Sequence, residues 1–360
     1  MFVQSLHRVH PEIGGMIADE LDIKTLCQWR ATCKQNYTQG TASLRRSLMK
    51  TLNPFVPNPS SFVDLVKMQE ALIGGEVALA FILRDSSYSA RDLEIFATPL
   101  RFGELCDAVL KDLGDVRVRT TSRVEHSIPF ALQRLISITF QVELSNGRSI
   151  HIHSSFTCTA VAGIARTITT ALSNYVSGHG FACSHPHLTL LRRGLLADIA
   201  LDARNHVDFR VMGNMVSQGF HFAVSPSAWP EYQYSFRDNA PSDAFQCCRS
   251  LYVCPSQGRF FGDPGSFVNY FDPLRGDAAR CVLRLLPPYG SMLVWRLWTT
   301  FRCSENCDEI DEFLGDGLTS TPVLFVRDSR GSARDIVVHT LDGRKTLQSL
   351  SHQRSRSKTL

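Results

Sequence analysis

The chain has 360 residues, 44% apolar and 20% charged, and a formal net charge of +4. That length allows two or three domains and a large core, and the composition is that of an ordinary globular protein. The longest apolar run, residues 77–83, is too short to cross a bilayer, and the first residues lack an apolar signal core. The expected location is therefore the cytoplasm or the nucleus, with no membrane partner.

Charge is concentrated at the ends. Residues 1–52 hold seven Lys/Arg against four Asp/Glu, and residues 349–360 hold Arg354, Arg356 and Lys358 with no acid. The remainder is slightly acidic and does not advertise a nucleic-acid surface. The end, 346–360, reads as a flexible basic tail, with a nuclear import signal as the other reading. Eleven cysteines are odd in number and scattered, as for free thiols in a reducing compartment. Cys248, Cys254, Cys303 and Cys307 offer a four-thiolate zinc set, although the tight C-x2-C knuckles of such sites are missing.

Residues 5–52 predict three short amphipathic helices. In the first, Ile13, Ile17 and Leu21 recur at helical spacing behind Pro11, which suits a first turn. Thr25 is a candidate cap for the second, with Leu26, Trp29 and Cys33 on one side. Leu44, Leu48 and Leu52 mark the third. So small a bundle is marginal alone, so a partner or a neighbouring domain should cover part of it. His10-Pro11-Glu12-Ile13, then Ile17 and Leu21, then Leu26, Arg30 and Cys33, resemble the F-box. The resemblance implies docking to the Skp-type adaptor of a cullin ubiquitin ligase through Pro11, Ile13, Ile17, Leu21 and Leu26. A helical cap packed on the main domain is the other reading.

Three prolines make 53–59 a connector. Ser61 and Asp64 then resemble a capping box opening a helix through Val66. A strand at 71–73, a buried helix through Leu83, a strand at 92–97 and a helix at 102–113 follow. The alternation over 137–144 and 150–153, around Asn146-Gly147, predicts a β-hairpin. These elements make a mixed sheet with helices, an α/β domain over 60–200.

Gly74-Gly75 closes the apolar run 71–73, and such a turn at a strand–helix junction lets backbone N–H groups approach phosphate. Asp92 and Glu94, at i and i+2 of a strand, share one face and can hold a metal. The pattern resembles the nucleotidyltransferase superfamily: a hydrophobic residue with Gly-Gly or Gly-Ser, a gap, then Asp-x-Glu. In one register Gly74-Gly75 is the pair; in the other Glu76 replaces the phosphate-binding serine. The resemblance implies Mg²⁺ on Asp92 and Glu94, and a third acid on the second hairpin arm. There His151 and His153 stand instead, and Glu143 on the first arm is the one nearby acidic substitute. A catalytically impaired, nucleotidyltransferase-like binding domain is the favoured expectation, requiring no cofactor. The competing one is an active Mg-dependent nucleotidyltransferase using Asp92, Glu94 and Glu143; a solvated strand edge is the third.

Farther on, Arg192 and Arg193 read as anion contacts or as ion-paired residues at a helix end. Strands are expected near 282–286, 292–298, 322–326 and 336–341, within an α+β extension over 201–345. The whole resembles the fungal F-box-like proteins that carry a nucleotidyltransferase-like domain. The implied fold is mixed α+β and α/β: a helical module, a mixed sheet with helices, and a β-rich C-terminal part. The implied function is a substrate receptor or adaptor-binding protein with an unknown target protein.

Overall fold

The computed structural model describes residues 10–114, 117–126, 135–156, 159–197, 206–232, 250–255, 257–272, 292–295, 297, 323–327, 333–339 and 345–348. Four helices come first: α1 (Pro11–Glu20), α2 (Ile23–Arg30), α3 (Lys34–Leu52) and α4 (Pro59–Met68). Among the described residues, no helix is long and apolar enough to cross a membrane.

Helix α1 inverts the face expected from its spacing. Gly14 and Ala18 are buried, whereas Ile13, Met16 and Ile17 are exposed at 53%, 69% and 43%. The cause is close approach to α3: a Cβ on Gly14 would lie 2.4 Å from the Gln39 side chain. Gln39 donates to Pro11 O at 2.9 Å, Ser43 donates to Ala18 O at 3.0 Å, and Arg46 forks onto Asp19. Leu26, expected at a partner contact, is fully buried, and Leu21 is half-buried.

Two helix starts also differ from expectation. Asp22, not Thr25, caps α2, accepting from the backbone N–H groups of Lys24 and Thr25. Asn58 caps α4 with Pro59 in its first turn, ahead of Ser61. A preset proline φ and a side-chain acceptor at Asn58 outweigh the Ser-x-x-Asp pattern.

Strand β1 (Leu72–Gly74) runs into α5 (Gly75–Leu83), which is apolar apart from Glu76 and buried from Gly75 to Ile82. A helix of that character belongs inside a core. Then come β2 (Asp92–Ala97), α6 (Pro99–Leu113), β3 (Val118–Glu125), β4 (Ile136–Leu144) and β5 (Ser149–Ser155). The β4–β5 turn holds Gly147 at φ 79, as the Asn-Gly pair predicts. A short helix α7 (Val161–Ala165) and strands β6 (Asn174–Val176) and β7 (Gly180–Cys183) follow. After them come α8 (Pro186–Thr189), β8 (Arg193–Leu195), α9 (His206–Ser217), β9 (His221–Ala223) and β10 (Phe267–Tyr270).

One eight-stranded sheet has the order β10-β7-β6-β1-β2-β5-β4-β3. Its pairings are antiparallel except β2 with β5. The structure is thus mixed α/β, a large mixed sheet with helices. The alternation of β2 and β5 divides the sheet into two faces. Leu93, Ile95, Ala97, Ile150 and Ile152 enter the main apolar cluster, which also holds Ala18, Leu26, Leu44, Leu48, Leu52, Phe62 and Phe81. Helices α1–α6 therefore share one core with the sheet. The connector contributes to it, since Phe55 and Val56 are fully buried. On the other face, Phe96 packs with Leu72, Ile136, Val161 and Ile164 in a second cluster.

Two arginines stitch distant parts together. Arg84, in the left-handed region at the end of α5, donates to Leu21 O, Ala18 O and the Ser43 hydroxyl. Arg30 donates to the carbonyls of Tyr270 and Phe271 beside β10. Farther along, β11 (Met292–Val294), β12 (Val323–Arg327), β13 (Ala333–His339) and β14 (Lys345–Gln348) form a four-stranded antiparallel sheet. The strand expected at 282–286 lies outside the described residues, as do Cys248, Cys303 and Cys307. Cys254 is buried.

Candidate functional site

The second face of the sheet carries polar rows running across its strands. Gly74 of β1 pairs with Glu94 of β2, Glu94 with His151 of β5, His151 with Gln141 of β4, and Gln141 with Ser122 of β3. The next row contains Phe96, His153 and Thr139; the row on the other side contains Asp92, Ser149, Glu143 and Thr120. Because β2 and β5 are parallel and in register, two i, i+2 pairs from remote sequence are set side by side.

The glycine turn does meet Glu94. Gly75 has φ +59, and a Cβ there would stand 2.1 Å from Oε2 of Glu94. The turn is therefore backed by a carboxylate. Glu94, His151 and His153 each present one ligand atom, and these atoms lie within 4.8 Å of one another. Nε2 of His153 is 3.7 Å from Oε1 of Glu94. The His153 ring packs on Phe96 at 4.9 Å between centroids and meets the His151 ring at a right angle. Nδ1 of His153 is 3.0 Å from the Thr139 hydroxyl, which is 2.8 Å from Nε2 of His126. Neither Nε2 of His151 nor that of His153 has a hydrogen-bond partner, although both atoms are buried.

Burial pushes the His151 imidazole down to about 4, helped by His153 and opposed by Glu94, so it is neutral near pH 7. Burial, and then the Glu94 charge, raise the Asp92 carboxyl; Arg91, Arg210 and Arg148 work against that rise. Glu76 is 3% exposed and accepts from Arg91 N at 3.0 Å and from the Asn214 amide at 2.5 Å. Its pKa is nonetheless raised, by burial first, with Asp92 and Glu94 adding to it.

Glu143 does not join this group. It is exposed and accepts from the Thr120 hydroxyl at 3.0 Å, two strands away from β2. A two-Mg²⁺ site needs carboxylate oxygens converging on a shared ion pair. The described residues bring together one carboxylate and two imidazoles instead, with Asp92 outside that group. The donor set does not fit the magnesium pair.

Sequence reading put His151 and His153 at the right place but missed Thr139 and His126 behind them. The signal was the alternation around 150–153, which sets both imidazoles on one face; the partners depend on cross-strand register. Arg192 and Arg193 are ion-paired, with Asp85 and Glu231. A separate open cleft of about 830 Å³ lies between α3 and the chain following α5. Of the cations lining it, Arg45 pairs with Asp272, Arg46 with Asp19, and Arg148 donates to Ala90 O. Comparison with protein-family models, curated proteins and solved structures returns no match.

Proposed function

We propose that the protein is an intracellular interaction protein, cytoplasmic or nuclear, which docks a Skp-type adaptor through α1 and presents its remaining surface to a target protein. One observation carries the reading. Ile13, Met16 and Ile17 are exposed together on a helix whose opposite side, Gly14 and Ala18, is locked onto α3. Large apolar side chains gathered on an exposed helix face mark an interaction surface. Pro11, Ile13 and Ile17 would make the contact with Leu21 at its border, while Leu26 would support the helix from beneath. Nucleotide transfer is disfavoured, because Glu143 stands apart and two imidazoles replace the third acid.

Capture of the purified adaptor by the full chain, wild type against Ile17→Asp, tests the proposal. Retention by the wild type and loss in the variant supports it. Equal capture by both, or by neither, removes it. Ile17 is surface-exposed, so the substitution leaves the core intact.

A further inference from the structure

We infer that Glu94, His151 and His153 bind a nitrogen-preferring divalent cation of the zinc type. The inference is independent of adaptor docking and concerns the opposite function of the sheet: what its polar face holds.

Donor chemistry comes first. Two imidazole nitrogens and one carboxylate oxygen suit zinc and neighbouring first-row ions, whereas magnesium selects oxygen. Zinc–ligand bonds of about 2.0–2.1 Å place tetrahedral ligand atoms roughly 3.4 Å apart. The Glu94–His153 pair already stands at 3.7 Å, and all three donors lie within 4.8 Å. Small rotamer adjustments close the set.

Two buried atoms then require an explanation. His153 is 7% exposed, yet its Nε2 lacks a hydrogen-bond partner, and so does Nε2 of His151. Buried polar atoms are seldom left so, because desolvation without a partner costs on the order of 1–3 kcal/mol each. Nδ1 of His153 is already engaged by the Thr139 hydroxyl, which in turn meets Nε2 of His126, so Nε2 is the nitrogen of His153 left to take a ligand. A cation would give both Nε2 atoms a partner. A ring nitrogen held by a second partner while the other nitrogen takes the metal is the usual arrangement of histidine ligands.

Three protein ligands leave a fourth position for water or a target group, so the site is of the open kind.

The test uses the full chain stripped with chelator and titrated separately with Zn²⁺, Co²⁺ and Mg²⁺ by calorimetry and visible absorption. Expected are one Zn²⁺ per chain, Mg²⁺ weaker by at least about 100-fold, and cobalt ligand-field bands without a thiolate charge-transfer band. His153→Gln and Glu94→Gln should each weaken Zn²⁺ by at least about 100-fold, and Thr139→Val by about 10–100-fold. Absence of stoichiometric zinc overturns the inference. Unchanged affinity in folded His153→Gln, or thiolate bands in the cobalt spectrum, places the metal at cysteines and overturns it equally. Should the variants not fold, the wild-type cobalt spectrum alone decides between these outcomes.

Discussion

Gly75 and Glu94 are matched so closely that one cannot gain an atom without the other moving: a Cβ at Gly75 would fall 2.1 Å from the Glu94 carboxylate. The glycine also sits at φ +59, in the left-handed region. Gly75→Ala should therefore cost at least about 1–2 kcal/mol from backbone strain alone, and more from the displaced acid. Urea denaturation reads the loss. A variant as stable as wild type would mean that the turn relaxes freely.

Glu76 sets a pH dependence. Its pKa is raised above the ordinary 4.5. The native state thus keeps its proton where the unfolded chain has released it, and stability falls as pH rises from 4.5 through the folded value. Glu76→Gln should remove that slope, so that its advantage over wild type is greatest at neutral pH and vanishes in acid. The Asn214 amide would reverse to offer its oxygen. Thermal midpoints between about pH 4 and pH 8 test the sign. A wild-type profile that rises through this window contradicts it.

Arg84 braces α1 from beneath, donating to two of its terminal carbonyls and to Ser43. Arg84→Ala should lower stability by about 2–3 kcal/mol and speed amide exchange in α1. Exchange confined to α5 would show that the brace does not hold the first helix.

Arg259 and Asp263 form a fully buried ion pair, with Nε to Oδ2 at 2.6 Å and side chains 2% exposed. Removing the negative partner leaves a guanidinium without compensation. Asp263→Asn should cost about 3–5 kcal/mol, whereas replacement of both residues by apolar ones of like volume should cost much less. Chemical denaturation of the single and double variants compares them.

Some of this architecture was legible because its signals are local. The strand 92–97 has the bounds that alternation gave it, Asn146-Gly147 makes the hairpin, and Leu44, Leu48 and Leu52 are buried on α3. The face of α1 was not, because periodicity counts large apolar residues while Gly14 and Ala18 make the contact. The cap of α4 moved because Asn58-Pro59 outranks a looser pattern downstream. The site required something no local window holds. That His151 stands beside Glu94 follows from the parallel pairing of β2 and β5, across the intervening α6, β3 and β4.

The single apolar mass joining α1–α3 to the sheet has a consequence for dissection. A fragment ending at Leu52 would carry Leu26, Leu44 and Leu48 naked into water, and its complement would uncover Phe62 and Phe81. Neither half is a self-sufficient folding unit, so the described core should melt as one cooperative transition. An adaptor grasping the first helix would then grip the whole sheet as a rigid lever.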